Sequence, residues 1–446
     1  MHTLAQLKSG QLKGATRVDL SEQLEIFPSE IFDLADSLEV LNLSGNRLSS
    51  LPPDLWRLHK LRILFCSDNA FTEVPAALGK CLNLEMIGFK ANRIQRLPAE
   101  ALPPKLRWLI LTDNQLESLP DEIGRCTRLQ KLMLAGNRLQ VLPEGLSRCH
   151  HLELLRIAAN RLPALPDWLL SMPRLTWLAF AGNPFSDSIE AETLGRHPLP
   201  PIGRDEISLG DILGQGASGV IHQAHWQYGN QAPRPMAVKL FKGNVTSDGL
   251  PHSEMAACIA AGEHPNLIGI AGPLAESADT LPGLLMELIA SSYQPLAGPP
   301  SLASCTRDCY ETERHFSVSQ VLRIATRVTS AVSHIHQRGI LHGDLYGHNL
   351  LVDPNGNTLL SDFGAASFYA PQSTQGQSLE RLEVRAFGCL LEELLEHCGA
   401  TDGLQVQRLQ ALQRRCMLDN PALRPNFSEL HHELVHIDHV SPVPAS

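Results

Sequence analysis

Four side chains in the second half of the chain combine a fixed cation with oxygen donors in a set order. Lys239 comes first, and Asp344 and Asn349 follow within the string HGDLYGHN. Asp362 comes thirteen residues after Asn349 and opens an Asp-Phe-Gly triplet. Carboxylate and amide oxygens are the ligands that Mg²⁺ prefers, and a fixed cation suits the oxygens of a triphosphate. The four residues therefore predict phosphoryl-transfer chemistry.

A glycine-rich string precedes these residues and has two interpretations. Gly214, Gly216, Gly219 and Val220 form the pattern G-x-G-x-x-G-x-V. Dinucleotide-binding folds share its first six positions, but in those folds a helix follows the last glycine. Here the string continues as VIHQAHW, whose alternation is typical of a strand. Two strands joined by a glycine loop are therefore predicted, and such a loop covers phosphate groups with backbone N–H groups.

Together, these motifs resemble the protein-kinase family over about residues 205–438. The resemblance implies that Lys239 holds the α- and β-phosphates of ATP, and that Asp362 with Asn349 holds Mg²⁺. It further implies that Asp344 orients the hydroxyl group of the substrate and accepts its proton.

A carboxylate on a helix is expected to pair with Lys239. Glu254 lies fifteen residues after Lys239 and is the first candidate by spacing, with Glu263 as a second. The alternative for Glu254 is an ordinary position on a solvated surface helix.

The segment of residues 284–289 resembles the strand that leads into the adenine-binding hinge of kinases. Met286 then takes the gatekeeper position, and the backbones of Glu287 and Ile289 bind the base. Apolar contacts to the adenine are expected from three further side chains: Val220, Ala237 and Leu351.

Several positions depart from the family pattern. Gly343 replaces the arginine of the usual H-R-D string, which removes the cation that pairs with a phosphorylated activation loop, so activation by loop phosphorylation is not expected. Tyr346 stands where Ser/Thr kinases commonly carry lysine, which leaves the choice of acceptor open, with Ser/Thr favoured over Tyr. The string from Glu383 to Gly388 resembles the D-V-W-S-F-G helix of the family and is interpreted as scaffold.

Three functions remain open at this point. The first is an ATP- and Mg²⁺-dependent protein kinase. The second is a pseudokinase scaffold for protein–protein interaction, although a scaffold does not need all four phosphate-handling residues. The third is a small-molecule kinase, because the HGDL string also resembles aminoglycoside and choline-type kinases. A binding module in the first half of the chain argues against the third.

That module is a repeat array marked by asparagines. The markers follow one another at intervals of 22 or 23 residues: Asn46, Asn69, Asn92, Asn114, Asn137, Asn160 and Asn183. Apolar residues lie eight, five and three positions before each marker, as in Leu106, Leu109 and Leu111. The pattern resembles the leucine-rich repeat over roughly residues 12–190, in which stacked strands bury one another's leucines and the asparagines bond to the backbone.

The residues six and four positions before each marker are predicted to point to the opposite, concave face. They are unusually apolar and include Ile63, Phe65, Met86, Trp108, Ile110, Met133 and Trp177. A contiguous apolar surface usually marks a binding site, so the face is expected to hold a protein partner or, alternatively, the kinase-like half itself.

Composition limits the class of protein. The chain has 446 residues, 43% of them hydrophobic, and a formal net charge of −10, which argues against nucleic-acid binding. Three of its ten cysteines, Cys81, Cys126 and Cys149, recur at one repeat position and are interpreted as small buried apolar residues. No membrane span or leader is apparent, and a cytoplasmic protein is expected.

The predicted fold class is an α/β leucine-rich repeat solenoid followed by an α+β two-lobed kinase-like domain. The predicted boundaries are 1–195 for the solenoid, 196–204 for a linker and 205–440 for the kinase-like domain.

Overall fold

The computed structural model describes residues 1–216, 218–243, 245–276, 280–399 and 403–438. The chain divides into two compact units, Met1–Arg174 and Leu175–Ser446. The division falls earlier than the boundary expected at residue 195, so the last repeat strand belongs with the second unit. None of the described helices is long and apolar enough to cross a membrane.

The first unit consists of short parallel strands, each followed in most repeats by a 3₁₀ turn. Its strands are β1 Arg17–Asp19, β2 Val40–Asn42, β3 Ile63–Phe65, β4 Met86–Gly88, β5 Trp108–Ile110, β6 Lys131–Met133 and β7 Leu154–Arg156. Its 3₁₀ turns are Ser29–Leu34, Leu55–Arg57, Ala76–Lys80, Ala99–Ala101, Asp121–Arg125 and Glu144–Arg148, and its helices are α1 Leu4–Lys8 and α2 Asp167–Leu170. Neighbouring strands pair in parallel without a register shift, as in Val40 with Ile63. The predicted solenoid is confirmed.

The marker asparagines hold the turns of the solenoid, as expected. The Asn137 side-chain oxygen accepts from the Leu116 N–H at 3.0 Å, and its amide donates to the Leu111 and Leu134 carbonyls at 2.9 Å each. Each asparagine thus satisfies backbone groups of its own repeat and of the preceding ones, which water cannot reach. Cys81, Cys126 and Cys149 are buried, in agreement with their interpretation as apolar residues.

The apolar face of the first unit is less exposed than its sequence suggests. Ile63, Met86 and Met133 are buried, whereas Phe65, Trp108 and Ile110 are half-buried. Side chains of successive strands pack along the face: a Cβ on Gly88 would lie 2.6 Å from Cδ1 of Phe65, and the Trp108 N–H points to the Met133 sulfur at 3.4 Å. Much of the apolar area of these side chains is therefore buried against neighbouring side chains of the same face.

The second unit begins with β8 Trp177–Ala179 and α3 Pro184–Arg196. A five-stranded antiparallel sheet follows, in the order β12-β13-β11-β10-β9. Its strands are β9 Ile207–Gln215, β10 Gly219–Trp226, β11 Arg234–Phe241, β12 Ile270–Pro273 and β13 Gly283–Glu287, and helix α4 Pro251–Ala261 crosses beside it. The sheet with one helix forms the first lobe of the predicted kinase-like fold.

The second lobe is mainly helical. Its helices are α5 Val318–Gln337, α6 Thr374–Glu396, α7 Leu404–Cys416 and α8 Phe427–Asp438. Short strands between α5 and α6 carry the loops of interest: β14 Gln294–Pro295, β15 Ile340–Leu341, β16 Leu350–Val352, β17 Thr358–Leu360 and β18 Ser367–Phe368. The described residues of the second unit also form 3₁₀ turns at Arg204–Glu206, Gly347–Asn349 and Pro421–Leu423. β15 pairs with β18, so the segments before Asp344 and after Asp362 are tied together.

Candidate active site

The glycine string forms the turn between β9 and β10, as predicted. The Gly216 N–H donates to the Gly219 carbonyl at 2.9 Å and closes the hairpin. Gly219 has no room for a side chain, because a Cβ there would lie 2.2 Å from the Leu240 carbonyl oxygen of β11. Cβ atoms on Gly214 and Gly216, in contrast, would meet none of the other described residues within 4 Å, their chain neighbours aside. Gly219 therefore serves strand packing, and the other two leave space above the site for a ligand.

The Lys239 ammonium and the Glu254 carboxylate are in contact, which supports the choice of Glu254 over Glu263. Glu254 lies on α4, and its side chain is 2% exposed. Burial opposes the charge on Lys239, but Glu254 and Asp362 outweigh it and raise the lysine pKa. Lys239 is therefore held as a cation between two carboxylates, which is the state that binds phosphate oxygens.

Helix α4 is itself held from outside the sheet. The Ser253 hydroxyl donates to the two Glu190 carboxylate oxygens of α3 at 2.9 and 3.2 Å. Burial raises the pKa of Glu190, and the Ser253 hydroxyl only partly offsets this. Since Ser253 precedes Glu254, this contact fixes the turn of α4 that presents Glu254 to Lys239.

Asp344 and Asn349 lie together in the loop between β15 and β16. The Asn349 amide donates to the Asp344 carboxylate at 2.7 Å and to its backbone carbonyl at 2.9 Å. His342 is fully buried and completes the loop, because its Nδ1 accepts from the Asp344 N–H and its Nε2 lies 3.0 Å from the Ser361 carbonyl. The loop thus connects Asp344 directly to the segment that carries Asp362.

Asp362 has a left-handed backbone with φ of 53°, which is uncommon for a residue other than glycine. Its carboxylate accepts the Gly364 N–H at 3.1 Å, and this turn returns the chain toward α4. A Cβ on Gly364 would lie 3.0 Å from the Asp362 carboxylate and 3.8 Å from Glu254. The strained turn is therefore what brings the exposed Asp362 carboxylate near the ion pair of Lys239 and Glu254.

These oxygen donors fit a Mg²⁺ ion bound together with phosphate groups. Asn349 uses its amide hydrogens on Asp344, which leaves its side-chain oxygen as the atom that can meet a cation. Asp362 contributes an exposed carboxylate. Within the described residues, no cluster of three or more His, Cys, Asp or Glu side chains could hold a metal. Mg²⁺ in kinase sites needs only one or two protein ligands beside the phosphates, so this donor set suits it.

The residues expected to contact adenine lie in the sheet, in β16 and in the segment that follows β13. Met286 is buried in β13 and pairs in register with Ala237, while Val220 of β10 and Leu351 of β16 are half-buried. The Glu287 N–H donates to the Gly269 carbonyl at 2.8 Å, so Glu287 would meet a base through its carbonyl oxygen. Ile289 follows β13 in the chain without regular structure.

Glu383 anchors the loop that carries Asp344, a role that sequence reasoning described only as scaffold. This buried carboxylate of α6 accepts from the Gly343 N–H at 2.6 Å and the His342 N–H at 3.2 Å, and it lies 2.7 Å from His336 Nε2. Burial alone raises the pKa of Glu383, but His336 and His342 together with the Gly343 N–H lower it below its ordinary value.

We expect this anchor to make stability depend on pH. A carboxylate whose folded pKa is lowered stabilises the fold above its ordinary pKa of 4.5, and this contribution is lost as the pH falls through the folded value. Urea unfolding of the full chain at neutral pH and below pH 4.5 measures the loss. Because other carboxylates titrate too, the quantity to compare is the difference in the free energy of unfolding between wild type and Glu383→Gln. This difference should be smaller in acid than at neutral pH. A constant difference would contradict the anchor.

Two features of the site were not found from the sequence. Trp177 of β8, predicted on the concave face that a protein partner or the kinase-like half would cover, is 1% exposed, and its ring stacks on Tyr346 with centroids 4.2 Å apart. His348 lies beside Asp308, with Nδ1 and a carboxylate oxygen 2.7 Å apart. Neither partner is near its counterpart in sequence, so no local spacing signals these pairs.

Comparison with known proteins agrees with this architecture. Residues 207–386 match the protein kinase domain family. Residues 104–162 and 127–185 match the leucine rich repeat family, and residues 36–76 match a related family of two repeat copies.

Individual relatives are distant. Serine/threonine-protein kinase PknB of Mycobacterium leprae is 26% identical over 44% of this chain and 33% of its own length. Activated Cdc42 kinase-like of Drosophila melanogaster is 24% identical over 54% of this chain and 20% of its own. The probable inactive serine/threonine-protein kinase roco10 of Dictyostelium discoideum is 36% identical over 25% of this chain and 4% of its own. The chain thus spans a third or less of these relatives. With repeats in its first half and a kinase domain in its second, it has the organisation of a leucine-rich repeat protein kinase.

Proposed function

We propose that the chain is an ATP- and Mg²⁺-dependent protein kinase that transfers the γ-phosphoryl group to a protein hydroxyl. The observation that carries the proposal is the contact between Lys239 and Glu254, with Asp362 close enough to raise the pKa of the same lysine. The phosphate-binding cation, the helix carboxylate and a candidate Mg²⁺ ligand are thus assembled at one place. A fold kept only for binding partners has no need to assemble them.

Each residue has a role in the proposed reaction. Lys239 binds the α- and β-phosphates, while Gly214 and Gly216 leave the loop open for backbone N–H groups to cover them. Asn349 and Asp362 would hold Mg²⁺, which, when bound, neutralises the charge on the phosphate oxygens. Asp344 orients the acceptor hydroxyl and takes its proton, and Asn349 keeps the Asp344 carboxylate in place.

Ser or Thr is favoured over Tyr as the acceptor. The similarity to PknB, which is named a serine/threonine-protein kinase, supports this preference. Tyr346 does not support it, because it replaces the lysine that such kinases commonly carry. The repeats bind a protein partner or regulate the kinase, as their resemblance implies.

A pseudokinase scaffold is the second candidate. It is favoured by one observation: Tyr346, at the usual lysine position, is buried under Trp177 and so brings no cation toward the phosphates. A small-molecule kinase of the aminoglycoside or choline type is the third candidate, and the repeats argue against it.

The test is transfer of labelled γ-phosphate by the purified full chain with Mg²⁺, into itself and into a cell lysate. Lys239→Met is the control, because it removes the phosphate-binding cation and is expected to lower the transfer rate at least about 100-fold. Acid hydrolysis of labelled protein then identifies the acceptor as Ser, Thr or Tyr. ATP binding without labelled protein would overturn the proposal, and ATP consumption on added amino sugars or amino alcohols would then separate the small-molecule kinase from the scaffold.

A further inference from the structure

The last repeat strand lies against the catalytic loop, here defined as residues 342–349. The Trp177 ring of β8 and the Tyr346 ring are nearly parallel, with an interplanar angle of 8° and both side chains buried. The Trp177 indole N–H donates to the Leu345 carbonyl at 3.1 Å. One tryptophan therefore holds the two residues that directly follow Asp344. It binds the backbone carbonyl of Leu345 and stacks on the side chain of Tyr346.

The backbone of β8 also lies where the arginine of H-R-D would begin. A Cβ on Gly343 would come 2.7 Å from the Leu178 carbonyl oxygen and 2.6 Å from the Ala365 carbonyl oxygen. Gly343 has a φ of 73°, a left-handed conformation that favours glycine. The absence of a side chain at Gly343 is thus what allows the strand to lie this close to the loop.

The segment after Asp362 is held by the residues that follow β8. The backbone N–H groups of Phe180 and Ala181 lie 2.9 and 3.2 Å from the Ser367 hydroxyl oxygen. Ser367 is fully buried in β18, which pairs with β15. The repeat strand and the residues directly after it therefore contact both the catalytic loop and the segment that follows Asp362.

We infer that Trp177 is a positioning residue for phosphoryl transfer, which holds the catalytic loop so that Asp344 meets the acceptor hydroxyl in a fixed geometry. Trp177 acts on Asp344 through its contacts with Leu345 and Tyr346, the two residues that follow it. This support replaces the one that kinases with H-R-D obtain from a phosphorylated activation segment, because Gly343 offers no cation to bind a phosphate. The kinetic part of the inference rests on the proposed function, whereas the structural part does not.

The first experiment compares turnover of the full-length wild type and Trp177→Ala. A displacement of the catalytic loop by about 1 Å costs about 100-fold in rate, so kcat should fall by about 10- to 100-fold while KM for ATP stays within about twofold. Trp177→Phe keeps a stacking ring but loses the indole N–H, and it should recover most of kcat. Trp56→Ala, which removes a tryptophan that is 52% exposed, is the control and should match wild type.

The second experiment measures amide hydrogen exchange in the same four proteins. Trp177→Ala should lose protection in residues 342–349 and 366–368 and keep it in β11 and α4, while Trp177→Phe stays close to wild type. Equal protection of the loop in Trp177→Ala and wild type would overturn the inference, and so would an unchanged kcat in Trp177→Ala. If the wild type transfers no phosphate, the proposed function fails, and the exchange measurement alone decides whether Trp177 holds the loop.

Discussion

Asp344→Asn is expected to lower the rate of phosphoryl transfer by about 10²- to 10⁴-fold, the usual contribution of a general base. The amide cannot take the proton of the acceptor hydroxyl, but it has nearly the same size and can still accept from the Asn349 amide, which lies 2.7 Å from the carboxylate. The loop should therefore keep its shape. The measurement is single-turnover transfer of labelled phosphate, together with nucleotide affinity from the same preparation.

Asp419→Asn is the matched control, because Asp419 is exposed in the same lobe and has no part in the proposed reaction. It should transfer phosphate at the wild-type rate. If Asp344→Asn also keeps that rate with unchanged ATP affinity, Asp344 is not the base, and the assignment of the catalytic loop must be abandoned. A loss of nucleotide affinity instead would indicate that Asp344 supports the Mg²⁺ ligand Asn349 more than it handles a proton.

The parts of the site that could be predicted from the sequence are those encoded by local spacing. Lys239 and Glu254 are fifteen residues apart, one on a strand and one on the next helix, and the structure joins them as that spacing suggests. The repeat pattern likewise predicts that the marker asparagines bond to the backbone, because each repeat supplies the same partners at the same distance along the chain.

Trp177 shows where prediction from sequence ends. Alternation along a strand indicates which side chains leave the core of the repeats, but not what lies against them. The pattern therefore places Trp177 on the concave face without identifying what covers it there, and its partners Leu345 and Tyr346 are about 170 residues further along the chain. No periodicity reports such a contact. The same holds for Glu383, whose three partners come from α5 and the catalytic loop.

Gly343 could be interpreted only in part from the sequence. The sequence shows that an arginine is missing, and the loss of a cation follows from its chemistry. The physical reason for the glycine, however, requires the structure: φ is positive, and two carbonyl oxygens occupy the place of a side chain. The departure from H-R-D is thus explained by what packs against the loop, in addition to what the loop no longer binds.

Gly343→Arg, which restores the residue common in protein kinases, is accordingly expected to inactivate the protein. A non-glycine residue in the left-handed region costs about 1–3 kcal/mol, and the new Cβ must also displace the Leu178 or the Ala365 carbonyl. Either displacement moves β8 or the segment after Asp362 away from the catalytic loop. Turnover and the free energy of unfolding should therefore fall together, although the substitution matches the family pattern.

Two alanine variants separate strain from crowding. Gly356 has a φ of 82°, but a Cβ there would meet its nearest atom at 3.5 Å, so Gly356→Ala carries the backbone strain alone. Gly343→Ala carries similar strain together with contacts of 2.6 and 2.7 Å to backbone oxygens that cannot swing aside as a side-chain end can. Urea unfolding should therefore show a larger loss of stability for Gly343→Ala. Equal losses of stability would mean that β8 moves aside at no cost in free energy. A strand that moves so easily could not hold Asp344 in place.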